Sequence, residues 1–244
     1  MTNQPETETL PMALLVQMGP FLDIYTINGK PFTGIGIVYH SNQNNPFDLS
    51  KFKTRTTFKQ GRENGPIEWF YKNGQLRSRK NCINGKLEGL WEDYHKNGQL
   101  RSRKNCINGK QEGPLEQFYK TGQLRWIGNY KNNKQEGLWE QFHQNGKLIS
   151  RSNYNNGNPQ GAWEGFHENG QLRGKGNLKD GERDGPWEWF YENGQLEQKG
   201  NYKIGKRDDL WEGFDENGQL RQRSNYKDGQ LLKFDDDFDD SIPF

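Results

Sequence analysis

The chain has 244 residues, of which only 30% are hydrophobic, against about 45–50% in typical soluble domains. A conventional two-layer fold of this length would need a larger apolar core. The 34 basic and 32 acidic residues give a net charge of +2, which excludes the strong basic excess of a dedicated nucleic-acid binder. The chain also contains 14 Phe, 10 Tyr, 8 Trp and 30 Gly. Many aromatics and glycines with little aliphatic core favour a thin, turn-rich β structure.

The N-terminal segment does not resemble a secretory leader sequence. It carries no Lys or Arg before Lys30, and Glu6 and Glu8 precede its short apolar stretch, which argues against a secretory signal. No apolar run approaches the ~20 residues that cross a bilayer. We expect a cytoplasmic protein, at most peripheral to the membrane, in which residues 1–20 form an N-terminal cap or flexible segment.

An internal repeat decides the fold. The tetrapeptide Asn/Thr-Gly-Gln/Lys-Leu recurs every 24 residues in seven copies without an insertion. Its turn glycines are Gly74, Gly98, Gly122, Gly146, Gly170, Gly194 and Gly218. Two further glycines recur in each copy, with Asn133 and Asp209 as single replacements. We expect a degenerate repeat at 21–45, the hairpin array at 46–234 and an acidic disordered tail at 235–244.

Each copy predicts a β-hairpin. Asn97-Gly98 lies between two short strand-like runs, and a two-residue Asn-Gly turn needs positive φ at both residues. This turn would pair His95 with Leu100, Tyr94 with Arg101, and Glu92 with Arg103. No stretch shows a sustained helical period. The predicted fold is therefore all-β, an elongated single-layer antiparallel meander of 24-residue hairpins.

One face of the predicted sheet carries rows of Trp, Leu and Tyr or Cys. An apolar face that holds the sheet together is one interpretation, and an aromatic groove for a partner is the other. The two are compatible, because a single layer cannot bury both faces. The candidate partner-binding aromatic row comprises Trp91, Trp139, Trp163, Trp187, Trp211, Tyr130, Tyr154 and Tyr202.

The opposite face carries a Glu in every copy, and six of the seven predicted cross-strand partners are basic. We interpret them as a structural ion-pair ladder in which each pair contributes ~0.2–1 kcal/mol. Its clearest members are the pairs Glu92 with Arg103, Glu140 with Arg151, and Glu212 with Arg223. Neighbouring arginines, such as Arg101 opposite Tyr94, are expected to stack on aromatic rings. Since much of the basic charge is already paired, nucleic-acid binding is not expected.

No residue pattern indicates an enzyme. His95, His143 and His167 occupy one repeat position that also accepts Tyr and Asp, which is typical of a strand-end site and not of a catalytic base. Cys82 and Cys106 lie one repeat apart, about 9.6 Å, too far for a disulfide. We therefore predict a non-catalytic protein without cofactor-binding or metal-binding residues.

The unit Glu-Gly-Leu-Trp-Glu-x-Tyr-His-x-Asn-Gly-Gln-Leu-Arg, followed by Asn-Tyr/Cys-x-Asn-Gly-Lys, resembles the variant MORN repeat. Bacterial proteins of the YwqK type, which are regarded as antitoxins, are built from this variant. The resemblance implies a β-hairpin scaffold that binds proteins or membrane lipids. An antitoxin or immunity-like protein that neutralises a toxin by direct binding is the first functional expectation. A membrane scaffold that binds anionic lipid through Lys80, Lys104 and Lys227 is the alternative.

Overall fold

The computed structural model describes residues 9–11, 16–17, 25–39 and 52–232. Most of the predicted N-terminal segment at 1–20 and the whole predicted tail at 235–244 lie outside the described residues. The chain divides into two compact units, Met1–Lys134 and Gln135–Phe244. The division falls inside the repeat array. Within the described residues, no helix is long and apolar enough to cross a membrane.

The first unit contains a meander of antiparallel strands. Its strands are β1 (Thr9–Pro11), β2 (Val16–Gln17), β3 (Tyr25–Ile27), β4 (Lys30–Pro31), β5 (Gly34–Tyr39), β6 (Phe52–Lys59), β7 (Arg62–Phe70), β8 (Leu76–Ile83), β9 (Lys86–Leu87), β10 (Gly89–Tyr94), β11 (Leu100–Ile107), β12 (Lys110–Phe118) and β13 (Leu124–Lys131). Strands β5 to β9 pair in chain order, β10 also pairs with β8, and β10 to β13 again pair in chain order. β1 joins β5 in parallel, whereas β2, β3 and β4 form a separate small sheet.

The second unit repeats the same arrangement. Its strands, the first of which begins one residue before the unit, are β14 (Lys134–Phe142), β15 (Leu148–Asn155), β16 (Asn158–Phe166), β17 (Leu172–Lys179), β18 (Glu182–Phe190), β19 (Leu196–Lys203), β20 (Lys206–Phe214), β21 (Leu220–Lys227) and β22 (Gln230–Leu232). Each strand pairs antiparallel with the next. The prediction of an all-β antiparallel meander of hairpin repeats is confirmed in both units.

The turn at Asn97-Gly98 differs from the prediction. The Gly98 N–H donates to the His95 carbonyl at 2.9 Å, and only Gly98 has positive φ, at 85°. Tyr94 therefore pairs with Leu100, and Arg101 is the extra residue of a bulge. The predicted pairs His95 with Leu100 and Tyr94 with Arg101 are wrong, because a longer turn that ends in a left-handed glycine brings its own bulge. The inner pair, Glu92 with Arg103, is confirmed.

The predicted turn type, two residues that both have positive φ, occurs at the other turn of the repeat. Asn108 and Gly109 have φ of 51° and 81°, and Ile107 pairs directly with Lys110. The same position holds Asn or Asp in most copies, but Ile204 adopts a φ of 49° there. A β-branched side chain in this region is strained.

Large side chains pack on glycine in the second unit. Trp187 and Trp211 are 2% and 4% exposed. A Cβ added to Gly176 would lie 2.2 Å from the Trp187 ring, and one added to Gly200 would lie 2.3 Å from the Trp211 ring. The missing side chains thus make room for the indoles, which explains how a chain poor in aliphatic residues builds a core. In the first unit Phe32 and Phe58 form a cluster with Tyr25 and Ile27.

Candidate functional site

The candidate aromatic row is divided between core and surface. Trp139, Trp187 and Trp211 are at most 4% exposed, so these three side chains belong to the core and a partner cannot reach them. Trp91, Trp163, Tyr130, Tyr154 and Tyr202 are half-buried. The interpretation of an apolar face that holds the sheet together fits the three buried indoles.

In the second unit the aromatic rings form a continuous cluster. The Trp163 and Trp187 ring centroids lie 5.3 Å apart, and the Tyr202 and Trp211 centroids 5.0 Å apart. Arg183 lies over Trp187 at 4.8 Å and donates to the Tyr202 hydroxyl at 2.9 Å. Stacking of a guanidinium on aromatic rings stabilises both, so this charge is part of the packing.

The ion pairs mostly connect neighbouring repeats. Arg103 binds Glu116 with an Nε to Oε2 distance of 2.7 Å, where Glu92 had been predicted. Arg151 binds Glu164 in place of the predicted Glu140. Each basic residue lies between a Glu on either flanking strand, and in these two cases the following strand supplies the partner.

Glu212 is held from both sides. The Lys199 Nζ lies 3.0 Å from one carboxylate oxygen and the Arg223 Nε lies 3.0 Å from the other, so the predicted partner Arg223 is indeed in contact. The hydrogen bond from Lys199 lowers the pKa of Glu212. In the same way, the hydrogen bond with Glu164 raises the pKa of Arg151.

A row of exposed apolar side chains lies on the face of the ion pairs and was missed in the sequence. One repeat position, two residues before each Glu, is exposed in every copy and always apolar. In the first unit it holds Pro66, Leu90 and Pro114, and in the second Leu138, Ala162, Pro186 and Leu210. We call these residues the apolar row. Its period of 24 residues was visible in the sequence, but the mixture of Pro, Leu and Ala does not resemble a strand position.

Shallow concavities separate members of the apolar row in the second unit. One of about 280 Å³ lies between Ala162 and Pro186, and one of about 270 Å³ lies between Pro186 and Leu210. Gly176 and Gly200 line them, and the buried indoles pack against the same two glycines. The concavities therefore lie beside buried indoles and recur with the repeat.

The repeat position shared by His and Tyr has a structural role. The His95 Nε2 lies 3.1 Å from the Phe118 carbonyl oxygen, and the Tyr71 hydroxyl donates to the Tyr94 carbonyl at 2.7 Å. His167 and Tyr191 make the equivalent bonds. Both side chains can donate to a carbonyl of the next repeat, and this explains their interchange.

The two thiols are free and buried. Burial raises the pKa of Cys82 to about 11, and the nearby Glu63 carboxylate adds to this shift. Burial also raises the pKa of Cys106. A protonated, enclosed thiol is a poor nucleophile and a poor metal ligand. Within the described residues no group of three or more His, Cys, Asp or Glu side chains could hold a metal ion.

Taken together, a hairpin meander with recurring surface rows defines a β-hairpin repeat protein. Seven segments match the family described as MORN repeat variant, at residues 63–82, 87–107, 111–132, 135–156, 159–180, 183–203 and 210–228. These segments cover more than half of the chain, which therefore belongs to the MORN repeat variant family.

No curated protein matches the chain. Among solved structures, the chain is similar to one described as the crystal structure of the GtfA/B complex bound to UDP and GlcNAc. The identity is 15% and the TM-score 0.20, over 61% of this chain and 27% of that chain. This chain therefore spans about a quarter of the length of that protein.

Proposed function

We propose that this protein is a non-catalytic, cytoplasmic scaffold that binds another protein, and that it acts as an antitoxin or immunity-like protein by neutralising that partner. The observation that carries the proposal is the apolar row, exposed at one repeat position in every copy. Leu90, Leu138 and Leu210 each leave 45–49% of their surface exposed. Recurring exposed apolar groups on one face are typical of protein interaction sites.

The surroundings of the row favour a preorganised interface. Ion pairs such as Lys175 with Glu188 and Lys199 with Glu212, at 2.9 and 3.0 Å, join neighbouring strands on the same face. A surface already fixed before binding loses less conformational entropy on association. This supports a direct, non-catalytic mode of action.

The three lysines that suggested lipid binding already contact other side chains. Lys104 lies over the Trp91 ring at 3.8 Å and Lys80 over the Trp69 ring at 4.7 Å. The Lys227 Nζ lies 3.9 Å from an Asp208 carboxylate oxygen. Each of the three lysines thus already has a partner within the fold, whereas binding to anionic membranes needs several available cations at one surface.

Depletion of the protein in its own host tests the proposal. If it is an antitoxin, growth should stop on depletion and resume on expression of the wild type. The variant Leu138→Asp/Leu210→Asp, which places two charges in the apolar row, should fail to restore growth although it folds. Ile204→Asp is the matched control, since Ile204 is 69% exposed at a turn tip where other copies carry Asp.

Three results would contradict the proposal. Normal growth without the protein would exclude the antitoxin role. Rescue by the Leu138→Asp/Leu210→Asp variant would exclude the apolar row as the binding surface. Sedimentation of the wild type with phosphatidylserine vesicles, unaffected by these two substitutions, would favour the lipid alternative.

A further inference from the structure

The first unit contains a basic pocket whose three arginines take no part in the ion pairs described above. It encloses about 320 Å³, and its lining includes Arg77, Arg101, Arg125 and Lys104. We propose that this pocket binds an acidic segment of the partner protein, an inference that rests on the proposed protein-binding function and names the chemistry of the partner.

The positive charge of the pocket is only partly offset from within. Asp93 is the single carboxylate in its lining. Its two oxygens already accept hydrogen bonds, from the Trp91 indole at 3.3 Å and from the Ser102 hydroxyl at 3.0 Å. Among the described residues, no ion pair engages any of the three arginines. Exposed guanidinium groups without a carboxylate partner attract anions.

The bulge in each turn places these arginines. Arg101 is the extra residue between the pairs Asp93 with Ser102 and Tyr94 with Leu100. Arg77 and Arg125 hold the same position in the adjacent repeats. An exposed bulge residue is released from cross-strand pairing, so its side chain can turn toward a ligand. The Arg125 guanidinium also lies over the Tyr119 ring at 5.6 Å, a weak cation–π contact at an exposed site.

The spacing of the arginines favours an extended, widely charged ligand. Successive copies lie two strand spacings apart, about 9.6 Å. A peptide in the polyproline II conformation has three residues per turn and rises about 3.1 Å per residue. Carboxylates at every third position then lie on one face, about 9.3 Å apart, and would match the row. A nucleic-acid strand carries a phosphate about every 3.4 Å, which is much denser. Phe118, which is half-buried in the lining, supplies an apolar contact for the residues between the carboxylates.

The second unit lacks this charge row. The same repeat position holds Ile149, Arg173, Glu197 and Arg221, so an apolar residue and a carboxylate interrupt the arginines. The two units therefore offer a comparison within one chain. Removal of arginines at this repeat position should weaken binding of the acidic segment when it is made in the first unit and not when it is made in the second.

The test is fluorescence anisotropy of the full chain with a labelled dodecapeptide of four Glu-Glu-Leu repeats. The variant Arg101→Gln/Arg125→Gln should weaken binding about tenfold or more, and high salt should weaken wild-type binding strongly. The variant Arg173→Gln/Arg221→Gln removes the same charge from the second unit and should bind within about twofold of wild type. Circular dichroism melts establish that both variants fold.

Competing ligands test which class of molecule the pocket binds. Lys-Lys-Leu and Gln-Gln-Leu repeat peptides should not bind. An equal loss of Glu peptide binding in both double variants would overturn the proposal, because net charge alone would then explain it. Tighter binding of an oligothymidylate, or of phosphatidylserine vesicles, than of the Glu peptide would also overturn it. If the peptide does not bind but the wild type restores growth, the acidic-segment site is refuted and the proposed function stands. If the peptide binds through the arginines but depletion has no effect on growth, the site stands and the antitoxin role is refuted.

Discussion

The packing of Trp187 on Gly176 makes a quantitative prediction for the variant Gly176→Ala. An added Cβ would lie 2.2–2.6 Å from three atoms of the indole, whereas ordinary contacts of a Cβ begin near 3.4 Å. The ring would have to move by about 1 Å. It cannot do so freely, because Trp187 is 2% exposed and the Trp163, Trp189 and Tyr202 rings lie within 5.3–6.0 Å of it.

We expect Gly176→Ala to lower the free energy of unfolding by about 2–3 kcal/mol, the upper part of the range for overpacked cores. Gly213→Ala is the matched control. Gly213 is also a strand glycine, but the nearest atom to its added Cβ is the Gln222 Cβ at 3.8 Å. Alanine there should be neutral or stabilise by about 0.5–1 kcal/mol, because glycine loses more backbone entropy on folding.

Urea denaturation followed by tryptophan fluorescence measures the difference, which should appear as a fall in midpoint of about 1 M or more. Since repeat proteins open in parts, hydrogen exchange of β17 and β18 should locate the loss at this hairpin. In a Trp187→Leu background, Gly176→Ala should cost less than about 0.5 kcal/mol. Equal stability of Gly176→Ala and Gly213→Ala would refute the argument that glycine makes room for the indole.

Three substitutions and one alkylation reaction test other parts of the structure. Glu68→Gln should lower the free energy of unfolding by about 1–2 kcal/mol in urea denaturation, because that side chain is 5% exposed and binds two arginines. Glu188→Gln, 38% exposed, should cost under about 0.5 kcal/mol, and equal effects would contradict the burial argument. Ile204→Asn should raise the free energy of unfolding in urea by about 1 kcal/mol, because it relieves a β-branched residue at a φ of 49°; a loss of stability would contradict strain at this turn. Because burial raises its pKa to about 11, Cys82 of the folded protein should be alkylated at pH 8 at least about a hundredfold more slowly than an exposed thiol of ordinary pKa. Rapid labelling of the folded protein would contradict its burial.

The regular parts of the fold could be predicted because they repeat. The period of 24 residues fixes the hairpin, and alternation fixes the inner register, as the pair Glu92 with Arg103 shows. The turn could not be assigned in the same way, because Asn-Gly occurs in both turns of the repeat and fits two turn types. In the structure Asn97 donates to the Lys120 carbonyl at 2.8 Å. This contact with the next repeat favours Asn without requiring a positive φ.

The candidate site was harder to predict for a related reason. Alternation assigns a side chain to a face but does not say whether a neighbour covers it. Trp187 and Trp163 occupy the same repeat position, yet only Trp187 is fully buried, because Gly176 and Arg183 enclose it. Likewise, the ion-pair partner of Arg103 was ambiguous, since a Glu faces it from each side.

The two units also show how one repeat can present different chemistry without a change of backbone. Opposite the Trp position the second unit carries Gly176 and Gly200, on which indoles pack. The first unit carries Lys80 and Lys104 at two of the three equivalent positions, and their ammonium groups lie over indoles; the third holds Gly128. A glycine there closes the face into a core, whereas a lysine keeps it charged and open beside the basic pocket. Because each hairpin is held by its own ladder and by bonds to its neighbours, such exchanges need no compensation elsewhere, and partner specificity can change one repeat at a time.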